Sequence, residues 1–119
     1  MKFGLLGRTL GHSFSPHIHS VLGNTNYELF EREPSKLQEF FDDPELQGIN
    51  ITFPYKVNAL EACDVVDPRA EHIGCVNTMV RKDGKWHGYN TDYDGFVFTL
   101  KHAGIDVSGK ECIILGDGA

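Results

Sequence analysis

Between Gly11 and Ser20 the chain reads GHSFSPHIHS, three histidines and three serines around a single proline. Such residues serve three chemistries: metal ligation, a nucleophilic serine with an imidazole base, and the holding of a polar ligand by hydroxyls. Spacing argues against the first two. His17 and His19 lie two positions apart, so on a helix they point to different sides, and no HExxH or carboxylate at ligand spacing accompanies them. No strained Gly-x-Ser-x-Gly elbow presents a serine to a base. What remains is a loop that holds a polar ligand. Ser15-Pro16 supplies a helix start for it, because serine is a preferred N-cap and proline suits the first helical position. Free amides and the partial positive charge of a helix start add to what hydroxyls offer an anion. Ser15 is therefore both a cap and a ligand candidate, whereas Ser13 has no expected capping role and is a ligand candidate alone.

The elements that must position these groups follow from the hydrophobic pattern. Strands are expected over 2–7, 27–33 and 48–53, and helices over 15–24, 34–43 and 54–63, the last starting at Pro54. A helical turn is expected over 68–74. Residues 75–92 read as two strands joined at Lys82-Asp83-Gly84-Lys85, whose Asp-Gly pair is a hairpin signal. An amphipathic helix over 92–104 closes at Gly104. Ile18, Val21 and Leu22, then Leu37, Phe40 and Phe41, then Tyr93, Phe96, Val97 and Leu100 fall on helical stripes that should face inward. This alternation predicts an α/β fold: a mostly parallel sheet with helices on both faces and one antiparallel hairpin strand. Ligands of such sheets bind at the carboxyl ends of strands, where GHSFSP, NITFPYK and YNTD all fall. The last ten residues, KECIILGDGA, read as a fresh strand running into Gly116-x-Gly118, which is how a dinucleotide-binding unit begins. Residues 1–104 are thus expected to form one domain, and 105–119 a linker and the first strand of a second domain that the chain breaks off.

Composition sets the outer bounds. With 119 residues, 40% of them hydrophobic and 24% charged, the chain can build one real core. A net charge of −6 argues against nucleic acid or an anionic membrane as partner, since both need a basic surface. The apolar stretch before Arg8 is too short for a secretion signal, and no segment could span a bilayer. Cys63, Cys75 and Cys112 are odd in number, scattered and without a CxxC, which reads as free thiols in a reducing, cytoplasmic setting.

Four motifs, HSFSPHIH (12–19), NITFPYK (50–56), IGCVNT (73–78) and GYNTD (88–92), stand in one order along most of residues 1–92. Together they resemble the N-terminal, substrate-binding half of the shikimate dehydrogenases, and ILGDGA (114–119) falls where that family's NADP-binding domain begins. The resemblance implies a two-domain α/β enzyme that holds its substrate in the first domain and NADP in a second, Rossmann domain. The reaction it implies is the reversible reduction of 3-dehydroshikimate to shikimate, in aromatic amino-acid biosynthesis. It further implies that Ser13 and Ser15 bind the substrate carboxylate and that Asn50, Thr52, Asn77 and Asp92 hold ring hydroxyls. Lys56 would be the catalytic lysine with Asp92 beside it, and Gly116, Gly118 and Ala119 would lie at the cofactor. Thr9 stands where the family often has proline, and Ser20 where asparagine is usual; neither is an implied ligand. A glutamine that contacts substrate in the family lies beyond this chain, which leaves the site incomplete; with only Gly116-Asp117-Gly118-Ala119 of a cofactor domain, the fragment alone should be inactive. The same motifs would also suit a quinate-accepting relative that uses NAD, or a ligand-binding module without catalysis.

The chemistry of these residues agrees with the implied roles. Neutral amides and hydroxyls give a polyol donors and acceptors that do not titrate. Lys56 falls in the first turn of its helix, where a cation opposes the macrodipole, while a neighbouring Asp92 favours the charged ammonium. Such a pair can pass a hydroxyl proton or orient the hydroxyl, and both stay open. The plainer alternatives are a solvated lysine and, for Asp92, an N-cap.

Overall fold

A computed structural model of the chain describes residues 1–118; Ala119, one of the residues implied at the cofactor, lies outside the described residues. Six strands form one sheet: β1 (Lys2–Gly7), β2 (Tyr27–Glu31), β3 (Leu46–Ile51), β4 (Val65–Val66), β5 (Thr78–Lys82) and β6 (Lys85–Tyr89), in the order β2-β1-β3-β5-β6-β4. β1 pairs in parallel with β2 and β3, and β4 with β6, while β5 runs antiparallel to both β3 and β6. The expected α/β class, with a single reversed hairpin strand, is what forms. Its turn is as expected too: Asp83 and Gly84 both take positive φ (51° and 76°), as a tight two-residue hairpin requires.

Strand alternation sorts the side chains onto two faces. Leu6 is in register with Phe30 on one side and Ile51 on the other. With Ile49, Met79 and Trp86 these residues make the core face. Leu37, Phe40 and Phe41 of α2 (Leu37–Phe41) close over it, as do Ala59 of α3 (Lys56–Glu61) and Ala70 of α4 (Pro68–Ile73). Each large apolar side chain buried there contributes about 1.5–3 kcal/mol. Close packing also limits β1: a Cβ at Gly4 would lie 2.2 Å from the Glu28 carbonyl oxygen and 2.6 Å from the Phe30 ring. The intervening residues of each strand face the other way. On that face α1 (Ser15–Val21) covers the edge of the sheet, with His19 stacked on Tyr27 at 3.8 Å between ring centres. α5 (Asp92–His102) follows β6 directly.

Several boundaries differ from expectation. β2 ends at Glu31, and residues 34–43 split into a 3-10 turn (Pro34–Lys36) and the shorter α2. The helix expected to start at Pro54 starts at Lys56, because Thr52 to Tyr55 close a turn in which the Tyr55 N–H donates to the Thr52 carbonyl at 3.0 Å. The Phe53–Pro54 peptide there is cis. The two-residue β4 has too little sequence to show a period. The stripes of α1 and α5 are not buried as expected: Ile18, Val21, Leu22, Tyr93 and Phe96 are exposed, and only the Arg69 guanidinium, over the Tyr93 ring, lies across the α5 stripe. Nor does 110–118 form the expected strand. Ile113, Ile114 and Leu115 are exposed and irregular, because a strand needs a neighbour for its amides and carbonyls and no described strand pairs with this one.

Candidate active site

The parallel strands β1, β3 and β6 end at one rim of the sheet, and the reversed β5 begins there. Because Ile49, Ile51 and Met79 turn to the core, Asn50 and Thr78 turn to the opposite face, in register with each other and with Tyr89. A directed hydrogen-bond chain crosses these strands. The Tyr27 hydroxyl donates to Asn50 Oδ1 (2.8 Å), Asn50 Nδ2 donates to Thr78 Oγ1 (3.1 Å), and Thr78 donates to Asn77 Oδ1 (3.1 Å). Asn77 is buried; its Oδ1 also accepts the Thr91 N–H (2.9 Å) and its Nδ2 donates to Thr91 Oγ1 (2.8 Å). It thereby ties the start of β5 to the start of α5.

Lys56 and Asp92 meet. Lys56 is the first residue of α3, and its carbonyl accepts the Val76 N–H at 3.1 Å, which fixes that helix start against the loop leading into β5. Its Nζ lies 2.6 Å from Asp92 Oδ2, with the lysine side chain only 18% exposed and the aspartate 57%. Asp92 is not the cap of α5. Thr91 holds the cap position without a side-chain bond, and buried Asn90 before it serves the helix amides: its Oδ1 accepts the N–H groups of Asp92 (3.0 Å) and Tyr93 (3.4 Å), and its Nδ2 donates to the Cys75 carbonyl (3.2 Å). An amide two residues upstream thus takes the helix amides and leaves the Asp92 carboxylate for Lys56. Sequence reasoning missed Asn90, although Asn and Asp are comparable caps and the triplet Asn-Thr-Asp offered both. Asn90→Ala is expected to destabilise the protein by about 1–3 kcal/mol, since it removes a cap and leaves buried groups unpaired. Urea unfolding measures this, and a change within about 0.5 kcal/mol would deny Asn90 that role.

Ser13, Ser15 and Thr52 line a cavity of about 370 Å³ at the end of β1, together with Leu10 and His12. The capping assignment is reversed here. Ser15 is already the first helical residue and makes no side-chain cap bond; Ser13 Oγ instead accepts the Ser15 N–H at 3.2 Å. Burial pushes the Tyr27 phenol up to about 12, with the Ser15 hydroxyl acting in the opposite sense. Tyr27 is therefore a neutral donor throughout the ordinary pH range. Tyr55 is core, and its hydroxyl donates to the Arg32 carbonyl, whereas Phe53 is exposed. Burial also pushes the Cys63 thiol up to about 11, aided by Asp64, which keeps it protonated and a poor nucleophile. Among the described residues no three histidine, cysteine or carboxylate side chains converge as metal ligands, and no helix is long and apolar enough to cross a membrane.

Gly116 and Gly118 lie in the exposed, irregular tail. A Cβ at either would meet nothing within 4 Å, so the described residues build no cradle for a pyrophosphate and do not fit NADP by themselves. The site that does exist gathers hydroxyls, amides and a lysine–aspartate pair at the ends of parallel strands, an arrangement able to hold a small, polar, hydroxylated acid.

Known proteins give this arrangement a family. The shikimate dehydrogenase substrate binding domain model matches residues 5–79. The chain is 40% identical over 124 residues to the NADP(+) shikimate dehydrogenase of Clostridium perfringens, a match covering 98% of this chain and 46% of that protein. Shikimate dehydrogenase 1 of Peptoclostridium difficile superposes with a TM-score of 0.90 at 37% identity, over 99% of this chain and 47% of that one. Shikimate 5-dehydrogenase of Thermus thermophilus, solved in complex with NADP(H) and shikimate, superposes with a TM-score of 0.81 at 35% identity, over 90% and 44%. This chain belongs to the shikimate dehydrogenase substrate-binding domain family. It spans just under half the length of the relatives it matches.

Proposed function

We propose that this chain is the substrate-binding half of an NADP-dependent shikimate dehydrogenase, which interconverts 3-dehydroshikimate and shikimate. The observation that carries the reading is the 2.6 Å pair of Lys56 and Asp92, built from two helix starts at the rim where Ser13, Ser15 and Thr52 line a cavity. On this reading the two serine hydroxyls take the carboxylate. The Ser13 oxygen already accepts the Ser15 N–H, so its own proton is available to point outward. Asn50, Thr52, Asn77 and Asp92 meet the ring hydroxyls. Lys56 carries three N–H donors, of which one is committed to Asp92, leaving two for a substrate oxygen. Asp92 aims the ammonium, and Lys56 holds a proton at the oxygen being oxidised or reduced.

Hydride transfer requires a nicotinamide, which residues 1–118 do not cradle. We assign residues 1–104 to the substrate domain, and 105–119 to a linker and the opening of a cofactor domain in which Gly116, Gly118 and Ala119 take part. The names of the Clostridium relative and of the Thermus complex support this reading. So do the unpaired cysteines, which suit a reducing cytoplasm. The full-length protein is expected to reduce NADP when given shikimate, whereas the 119-residue chain alone should show no turnover. NADPH absorbance follows both assays. Turnover by the chain alone, or none by the full-length protein, would overturn the assignment.

A further inference from the structure

We propose that Tyr27 is a positioning residue that fixes Asn50 as a hydrogen-bond donor toward the substrate ring. The inference rests on the dehydrogenase reading above. An asparagine amide presents either an oxygen or an NH2 group, and which one faces a ligand depends on its other partners. Here the direction propagates from a group that cannot change its role. The Thr91 backbone N–H only donates, so Asn77 Oδ1, 2.9 Å away, is an acceptor. The Thr78 hydroxyl, 3.1 Å from that oxygen, spends its single proton on it. Toward Asn50, Thr78 can then only accept, which sets Asn50 Nδ2 against Thr78 at 3.1 Å and Oδ1 against the Tyr27 hydroxyl at 2.8 Å. Tyr27 closes the chain as the terminal donor.

The tyrosine is itself held. Its ring stacks on His19 at 3.8 Å and 12° between planes, and the two rings line a recess with Phe3, Asn50 and Thr78. Burial keeps its phenol protonated, with a pKa pushed up to about 12. The second Nδ2 proton of Asn50 has no partner among the described residues. Asn50 therefore keeps an N–H free for the ligand, while its Oδ1 is turned to Tyr27. A donor serves a hydroxyl oxygen and a carbonyl oxygen alike, so this contact survives whichever oxidation state the ring oxygen it meets is in. Without the Tyr27 hydroxyl, Oδ1 loses the one donor it has among the described residues and the amide is held by Thr78 alone.

A double-mutant cycle in the full-length protein tests this. Tyr27→Phe keeps the ring and its stack and should raise KM for shikimate about 3- to 10-fold, the scale of one neutral hydrogen bond. Its kcat should stay within about twofold, because Lys56 and Asp92 are untouched. In an Asn50→Ala background the same substitution should add less than about twofold, since Tyr27 acts through Asn50. Unchanged KM in Tyr27→Phe, or losses that simply multiply, would overturn the positioning role while leaving the dehydrogenase reading intact. No shikimate turnover by the unmutated protein would overturn both.

Discussion

In the full-length protein, Lys56→Ala is expected to lower kcat for shikimate oxidation about 10²-fold or more, with a smaller change in KM. The ammonium is held against Asp92 and largely out of open solvent. Its side chain is 18% exposed, against 62% for Lys36, which pairs with Glu39 on an open surface. Alanine leaves the fold largely alone, because what α3 needs from this residue is its carbonyl, which accepts the Val76 N–H whatever the side chain. Asp92→Asn should also slow turnover, by removing the charge that aims Lys56 while keeping the shape. Steady-state kinetics with shikimate and NADP decide the matter. An unchanged kcat in Lys56→Ala would reduce Lys56 to an ordinary helix-start lysine.

Gly4→Ala should cost stability on a comparable scale, by about 3 kcal/mol, the upper part of the usual overpacking range. The added Cβ would sit 2.2 Å from the Glu28 carbonyl oxygen, which is backbone, and 2.6 Å from a Phe30 ring already packed on Phe40. Neither can yield cheaply, since β1 is hydrogen-bonded to β2 and β3 on its two sides. Gly95→Ala makes the contrasting case. It lies inside α5 with nothing within 4 Å of its would-be Cβ, so alanine should stabilise the protein by up to about 1 kcal/mol through helix propensity. Urea midpoints of the two variants should move in opposite directions. A Gly4→Ala protein as stable as its parent would mean that β1 and β2 are not so closely apposed.

What was legible in the sequence was whatever depends on neighbours along the chain. The apolar alternation of GINI sends Ile49 and Ile51 inward and Asn50 outward, and Leu37, Phe40 and Phe41 are buried as their spacing requires. Asp83-Gly84 specified its own turn. The motif residues Ser13, Ser15, Thr52, Lys56 and Asp92 stood out because they fall at strand-to-helix junctions, and the fold gathers them at one rim. Illegible were relations that only register creates. Nothing near Tyr27 in the chain announces that it will reach Asn50, 23 positions away, across an intervening strand. The contest between Asn90 and Asp92 for the helix amides is settled by the Cys75 carbonyl, which anchors Asn90 from 15 residues upstream. The spacing of α1 and α5 predicts buried stripes that the fold leaves largely open, because amphipathic spacing shows that a face is apolar, not which element covers it. The tail from Lys110 likewise has strand composition but no described strand beside it.

The reversal of β5 divides the sheet into two rims with different freedom to change. Its beginning joins the ends of β3 and β6 where Lys56 and Asp92 meet, so its far end carries the Asp83-Gly84 turn to the opposite rim. That turn is exposed and short. Loops at such a place tolerate added length, because an exposed tip carries few packing constraints. Residues 83–84 are accordingly where a fluorophore or an affinity peptide can be spliced into this protein, reporting on or immobilising it while the ligand rim stays untouched.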